Sequence, residues 1–213
     1  MKDTTTAIFD DLFTRYPALS ICRDDIAEAF DILLGTYQSG GRVFTCGNGG
    51  SAADADHLVG ELLKKFKRER DIPAELKLRL MDNGDDDSSW LLEKLEGSLP
   101  AYSLVAQSAI LSAYANDVGW EGAFAQQLLG LAREGDALVA FSTSGNSRNC
   151  VLAATLAHEL DVNVIALTGE GGGKLAATAD AAVRVPANET FQIQEYHLPV
   201  YHALAAMLEE ELF

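Results

Sequence analysis

The spacing of apolar positions changes several times along the chain, and each change marks an element. Two amphipathic stretches come first, around residues 3–16 and 24–38, with apolar residues at helical intervals. Asp24 or Asp25 is placed to cap the second, and Gly40-Gly41 to end it. Arg42-Val43-Phe44-Thr45-Cys46 then has the pattern of a short buried strand and runs straight into glycines. Similar runs occupy 137–142 and 162–168, with weaker ones at 101–105 and 181–185, and helix-like sequence separates them. Strands alternating with helices predict parallel βαβ units with right-handed crossovers. The expected fold class is therefore α/β: three layers, about five parallel strands and extra helices at both ends.

Residues 71–99 break the pattern. They contain no strand signal, and MDNGDDDSS at 81–89 reads as a solvated loop between short helical pieces at 74–81 and 90–96. This segment is expected to be an excursion within a single domain spanning 1–213, in which residues 1–40 supply N-terminal helices. It is too short for a core of its own.

Composition narrows the partners. The 213 residues suit one large domain, and 48% apolar with 23% charged residues is ordinary for a globular chain. Sixteen Lys and Arg against 32 Asp and Glu leave a net charge of −16, which disfavours nucleic-acid phosphates and anionic membranes alike. No apolar run approaches the roughly 20 residues of a membrane span, and MKDTTTAIFDD lacks the apolar stretch of a signal peptide. Cys22, Cys46 and Cys150 are odd in number and far apart, which fits reduced thiols and a cytoplasmic protein. Cys46 reads as a small buried residue rather than a nucleophile, since no His or Asp lies near it in sequence.

Two loops carry candidate chemistry. Gly47-Asn48-Gly49-Gly50-Ser51 follows the first strand, and a helix is expected to start at Ser51. Ser142-Thr143-Ser144-Gly145-Asn146-Ser147 follows the third strand and also precedes a helix. Glycines at such turns let the backbone approach a ligand, and free N–H groups at the helix start favour an anion. Either loop alone is equally well explained as capping and turning. As a pair at the carboxyl ends of inner strands, they describe a pocket for a phosphate on a polyhydroxylated body. Neither is a Walker motif and the first is not GxGxxG, so ATP and NAD are disfavoured.

His57 and Glu61 stand four residues apart on the helix after the first loop, hence on one face. Gln194 and His202, eight apart near the C-terminus, differ by roughly 80° around a helix and share a broad face. Together they would suit a divalent ion such as zinc, or proton transfer beside a carbonyl. A solvated helix face and a core histidine explain the same residues, so spacing leaves both readings open. His158 and His197 have no such partners and read as structural.

CGNGGSAADADH at 46–57, STSGNS at 142–147, LTGEGGGKLAATAD at 167–180 and QIQEYHLPVYH at 192–202 resemble the sugar isomerase (SIS) domain family, in particular its phosphoheptose isomerases. The likeness spans almost the whole chain except 71–99. It implies a flavodoxin-like SIS fold, a homotetramer with active sites completed by neighbouring subunits, and aldose–ketose isomerisation of sedoheptulose 7-phosphate. By that resemblance Asn48, Gly49, Gly50 and Ser51 line the sugar phosphate. Ser142, Thr143, Ser144 and Ser147 hold its phosphate, with Asn116 and Asp117 nearby, and Gln194 also contacts substrate. His57, Glu61, Gln194 and His202 match zinc ligands, and Glu61 with His202 matches the proton-transfer pair.

The chain also departs from that pattern. Residues 71–99 stand in place of a short connection, Lys65 stands where Arg is frequent, and Phe191 where some members have Asp. Pro199 falls between two proposed ligands, where it would bend a helix. The basic run Lys64-Lys65-Phe66-Lys67-Arg68-Glu69-Arg70 is expected to complement a helix C-terminus, or else to attract an anionic substrate. Two alternatives stand beside the leading reading, the first of a different class. The first is a non-catalytic SIS scaffold of the branch that binds the bacterial replication initiator, which lacks the acid/base pair present here. The other is an isomerase of a different ketose phosphate.

Overall fold

A computed structural model describes residues 1–213. Helices α1 (Asp3–Arg15) and α2 (Arg23–Gln38) precede β1 (Val43–Cys46) and α3 (Gly50–Leu63). Next come α4 (Ala74–Asn83), α5 (Asp86–Lys94), β2 (Ala101–Ser103), α6 (Ser108–Asp117) and α7 (Ala123–Leu131). The chain then alternates through β3 (Ala137–Phe141), α8 (Arg148–Glu159), β4 (Asn163–Thr168), α9 (Gly173–Thr178) and β5 (Ala181–Arg184). It finishes in α10 (Thr190–Leu212). All pairings are parallel and the strand order is β2-β1-β3-β4-β5, the doubly wound arrangement expected.

The sequence of β3 shows why the sheet sits between two helical layers. Ala137, Val139 and Phe141 face a core built with α2, α3 and α10, while Leu138 and Ala140 face one built with α7 and α8. A strand apolar on both faces belongs in the middle of a covered parallel sheet. The edge strands β2 and β5 alternate buried with more open positions instead.

Several local expectations change. The side chains of Asp24 and Asp25 do not cap α2, which starts one residue earlier behind Cys22; they lie in its first turn, where they favour the positive end of the helix dipole. Helix α3 starts at Gly50 rather than Ser51. Residues 81–89 are not a loop. Gly84, at φ +67°, ends α4, and Asp85 caps α5 by accepting from the Ser88 amide at 2.7 Å, so α4 and α5 form a helical hairpin. Acidic and serine residues that resemble solvent loop are here the cap and first turn of a helix. Helix α10 continues through Pro199 as a single element.

The basic run follows the end of α3 and complements that helix C-terminus, as expected: Arg70 donates to the Glu61 and Leu62 carbonyls. Lys64 pairs with Glu61, Lys65 with Glu69 and Glu96, Arg68 with Glu210 and Arg70 with Glu209. The run is a strap that ties the end of α3 to the end of α10. The cysteines are free and buried, as expected. No helix is long and apolar enough to cross a membrane.

Candidate active site

The loops after β1 and β3 meet where the strand order reverses, the position at which doubly wound sheets bind ligands. Asn48 and Asn149 exchange reciprocal amide hydrogen bonds of 2.9 and 2.8 Å, joining the first loop to the start of α8. The Ser142 and Ser147 hydroxyls lie 3.1 Å apart, and Ser144 Oγ accepts from the Asn146 amide at 3.2 Å. Gly145, at φ +63°, lets this loop nest against another: a Cβ there would stand 1.9 Å from the Gly172 carbonyl oxygen. The GGGK segment thus buttresses the serine loop, a role that its glycines alone did not announce. Gly50 faces a softer neighbour, because a Cβ there would meet the movable Gln194 carboxamide at 2.6 Å. Gln194 therefore lies over the N-terminus of α3, beside the first loop.

Farther along α3, three side chains converge. His57 Nε2 lies 3.1 Å from Glu61 Oε1 and 3.5 Å from His202 Nε2, and the three ligand atoms all fall within 4.8 Å of one another. The i,i+4 spacing aligns His57 with Glu61, and packing of α10 on α3 brings His202 across to them. Burial, together with His57, lowers the His202 pKa, which favours the neutral imidazole. Glu61 Oε2 accepts from Lys64 at 3.0 Å. Tetrahedral zinc with bonds of about 2.0–2.1 Å sets its ligand atoms roughly 3.3 Å apart, so this donor set fits such an ion in chemistry and spacing.

Gln194 does not join this cluster within the chain. Helical angle puts it on the same broad face as His202, but eight residues also separate them by about 12 Å along the axis. The structure places Gln194 against Gly50, beside the glycine loop after β1. Asn116 and Asp117 are exposed at the end of α6 and bond each other at 2.8 Å.

The matches with known proteins agree with this geometry. SIS domain models match residues 19–102 and 102–209. The phosphoheptose isomerase of Rhodospirillum rubrum is 37% identical over 212 residues, covering 100% of this chain and 99% of that protein. The chain belongs to the SIS domain family. Among solved structures, the phosphoheptose isomerase of Neisseria gonorrhoeae matches with a TM-score of 0.74 and 32% identity, covering 98% of each chain. That of Francisella tularensis matches with a TM-score of 0.75 and 29% identity, covering 98% of this chain and 97% of its own.

This SIS domain holds further site residues that sequence reasoning passed over. Asn149 is buried against Asn48, and its place just inside α8 was the available signal. Asp54 and Tyr201 stand behind His57: Tyr201 Oη is 2.9 Å from His57 Nδ1 and 3.4 Å from Asp54 Oδ1. Burial pushes the Asp54 pKa up to about 6, against the opposing influence of Tyr201 and His57. Burial likewise raises the Tyr201 pKa, keeping the phenol protonated. Cys46 lies within hydrogen-bond reach of Cys150, and that contact together with burial holds its thiol well above the ordinary value, as suits an inert core residue.

Proposed function

We propose that this chain is a sugar-phosphate aldose–ketose isomerase that converts sedoheptulose 7-phosphate to D-glycero-D-manno-heptose 7-phosphate. The observation that carries the reading is the convergence of His57, Glu61 and His202 on the helix whose N-terminus forms the first glycine loop. Relatives at 37% identity over the full chain are phosphoheptose isomerases, which supports the same reaction here. The intact pair Glu61 and His202 favours an enzyme over a scaffold.

The serine loop, Ser142, Thr143, Ser144 and Ser147, holds the phosphate at the start of α8. Asn48, Gly49, Gly50, Ser51 and Gln194 line the polyol, with Asn116 and Asp117 completing the substrate set in the assembled protein. The cluster lies two helical turns beyond Gly50, about 10 Å along α3, a span comparable to an extended seven-carbon sugar phosphate. The Glu61 carboxylate removes the proton from the carbon beside the carbonyl, leaving an enediol, and returns it to the neighbouring carbon. His202 carries the accompanying proton between the two oxygens. A divalent ion such as zinc, held by His57, Glu61 and His202, would polarise the carbonyl as a Lewis acid. The working form is a cytoplasmic homotetramer.

The test is proton-exchange NMR in heavy water with sedoheptulose 7-phosphate. Conversion to an aldoheptose phosphate with deuterium at the exchanged carbon is expected, and Glu61→Gln abolishes it while sugar-phosphate binding persists. A Glu61→Gln variant that still turns over refutes the assignment of the base.

A further inference from the structure

The contacts behind His57 extend the proposed site by one layer, and the argument rests on the reading that His57, Glu61 and His202 hold a divalent ion. An imidazole nitrogen binds a metal only with its lone pair free, so the proton of neutral His57 must sit on Nδ1 for Nε2 to serve. Which nitrogen carries it is set by the partner of Nδ1, and here that partner is Tyr201 Oη at 2.9 Å. A phenol either donates to Nδ1 or accepts from it. Two carboxylates pull in opposite directions: Glu61 Oε1, 3.1 Å from Nε2, favours a proton there while no ion is bound, and Asp54 favours one on Nδ1. Asp54 Oδ1 lies 3.4 Å from the same hydroxyl, and its Oδ2 is buried without any partner. An ionised carboxylate only accepts, so turning the Tyr201 proton toward His57 would strip Asp54 of that donor in a part-buried place. With an ion between Nε2 and Glu61, the favoured arrangement sends the Tyr201 proton to Asp54 and the His57 Nδ1 proton to Tyr201 Oη. That leaves the Nε2 lone pair free for the ion held with Glu61 and His202.

We infer that Asp54 and Tyr201 are positioning residues for the metal site: a carboxylate–phenol–imidazole relay that sets the tautomer and ring orientation of His57. Tyr201 is 1% exposed, is packed edge-on to His57 with an interplanar angle of 73°, and lies next to His202 on α10. The relay therefore couples the two helices that supply the ligands. Partners of this kind typically govern metal affinity by about 10–100-fold.

The experiment uses the full chain, with two readouts. Zinc affinity is measured by competition with a chromophoric chelator, and the hydrogen bond of the His57 Nδ1 proton by NMR of the zinc-loaded, histidine-labelled protein. Only four histidines contribute signals. Tyr201→Phe keeps the ring in the core and removes the hydroxyl. It should weaken zinc binding about 10–100-fold and speed solvent exchange of the His57 Nδ1 proton, with an unchanged circular dichroism spectrum. Asp54→Asn should move both readouts in the same direction by less, and it serves as the test should Tyr201→Phe fail to fold. Unchanged zinc affinity in both variants, or a wild-type His57 Nδ1 proton that exchanges as fast as in Tyr201→Phe, overturns the relay. A wild-type chain that binds no zinc overturns the metal reading itself, whereas zinc binding that neither variant weakens overturns the relay alone.

Discussion

Glu61 and Glu209 are both buried glutamates beside cations, yet their surroundings differ in one respect that separates chemistry from architecture. Glu209, at the end of α10, accepts from the backbone amides of Phe66, Lys67 and Arg68 at 2.8, 2.8 and 3.1 Å, and from Arg70 Nε at 2.7 Å. Its acceptor sites are saturated, and its partner Arg70 is also bound to the Leu62 and Glu61 carbonyls. Glu61 faces two imidazoles on one side and the exposed Lys64 on the other, with a single hydrogen-bond partner on each oxygen. A saturated buried carboxylate has nothing left to give a substrate. One held at the edge of solvent with spare acceptor capacity has both the positioning and the access that proton transfer needs.

The sharpest way to break this contrast is to remove each charge in turn. Glu61→Gln should cost about 10²–10⁴-fold in turnover and change folding stability by well under 1 kcal/mol, read by isomerase assay and urea titration. Glu209→Ala should show the opposite profile. It strands the buried Arg70 guanidinium and three backbone amides, and should lower stability by about 3–5 kcal/mol. If Glu209→Ala unfolds no more easily than wild type, the structural half of the comparison fails.

Acid titration sharpens the same point at intermediate size. Burial raises the Glu209 carboxyl, but the Phe66 and Lys67 amides and Arg70 outweigh it and hold the pKa below 4.5. A depressed carboxylate contributes stability above its unfolded value and loses it as pH falls through the folded value. His197 adds a second loss in the same direction. Burial lowers its pKa from 6.5 to about 4, against the opposing bond to the Thr168 carbonyl. The unfolded chain thus gains a proton near pH 6.5 that the folded chain refuses until about pH 4, a loss of about 3 kcal/mol across that window. Urea titrations at a series of pH values should show this slope, and His197→Leu should flatten its upper part.

The smallest effect is expected at the α4–α5 hairpin. Helix α4 has no buried residue and α5 buries only Ser88, while the base is closed by the Gly97 amide donating to the Arg70 carbonyl at 2.8 Å. Replacing residues 73–95 with a short glycine linker should leave the melting temperature nearly unchanged. A large drop would mean that the hairpin supports the fold after all.

The chain's own periodicity determined most of the architecture, because alternation of apolar runs with helical spacing is a local property. The strands were legible, as were both ligand loops and the His57–Glu61 pair, whose i,i+4 spacing lies within one helix. The acidic cap at Asp85 was misread because the same residues serve loops and helix starts, and only neighbouring packing separates the two. Tertiary structure alone decided that His202, 145 residues from His57 in the chain, completes the cluster. It also placed Gln194 against the glycine loop after β1, and Tyr201 and Asp54 behind the imidazole. Angular position on a helix can be counted from sequence. Which turn of α10 lies against which turn of α3 depends on how both helices pack on a shared sheet, and that is a property of the whole core.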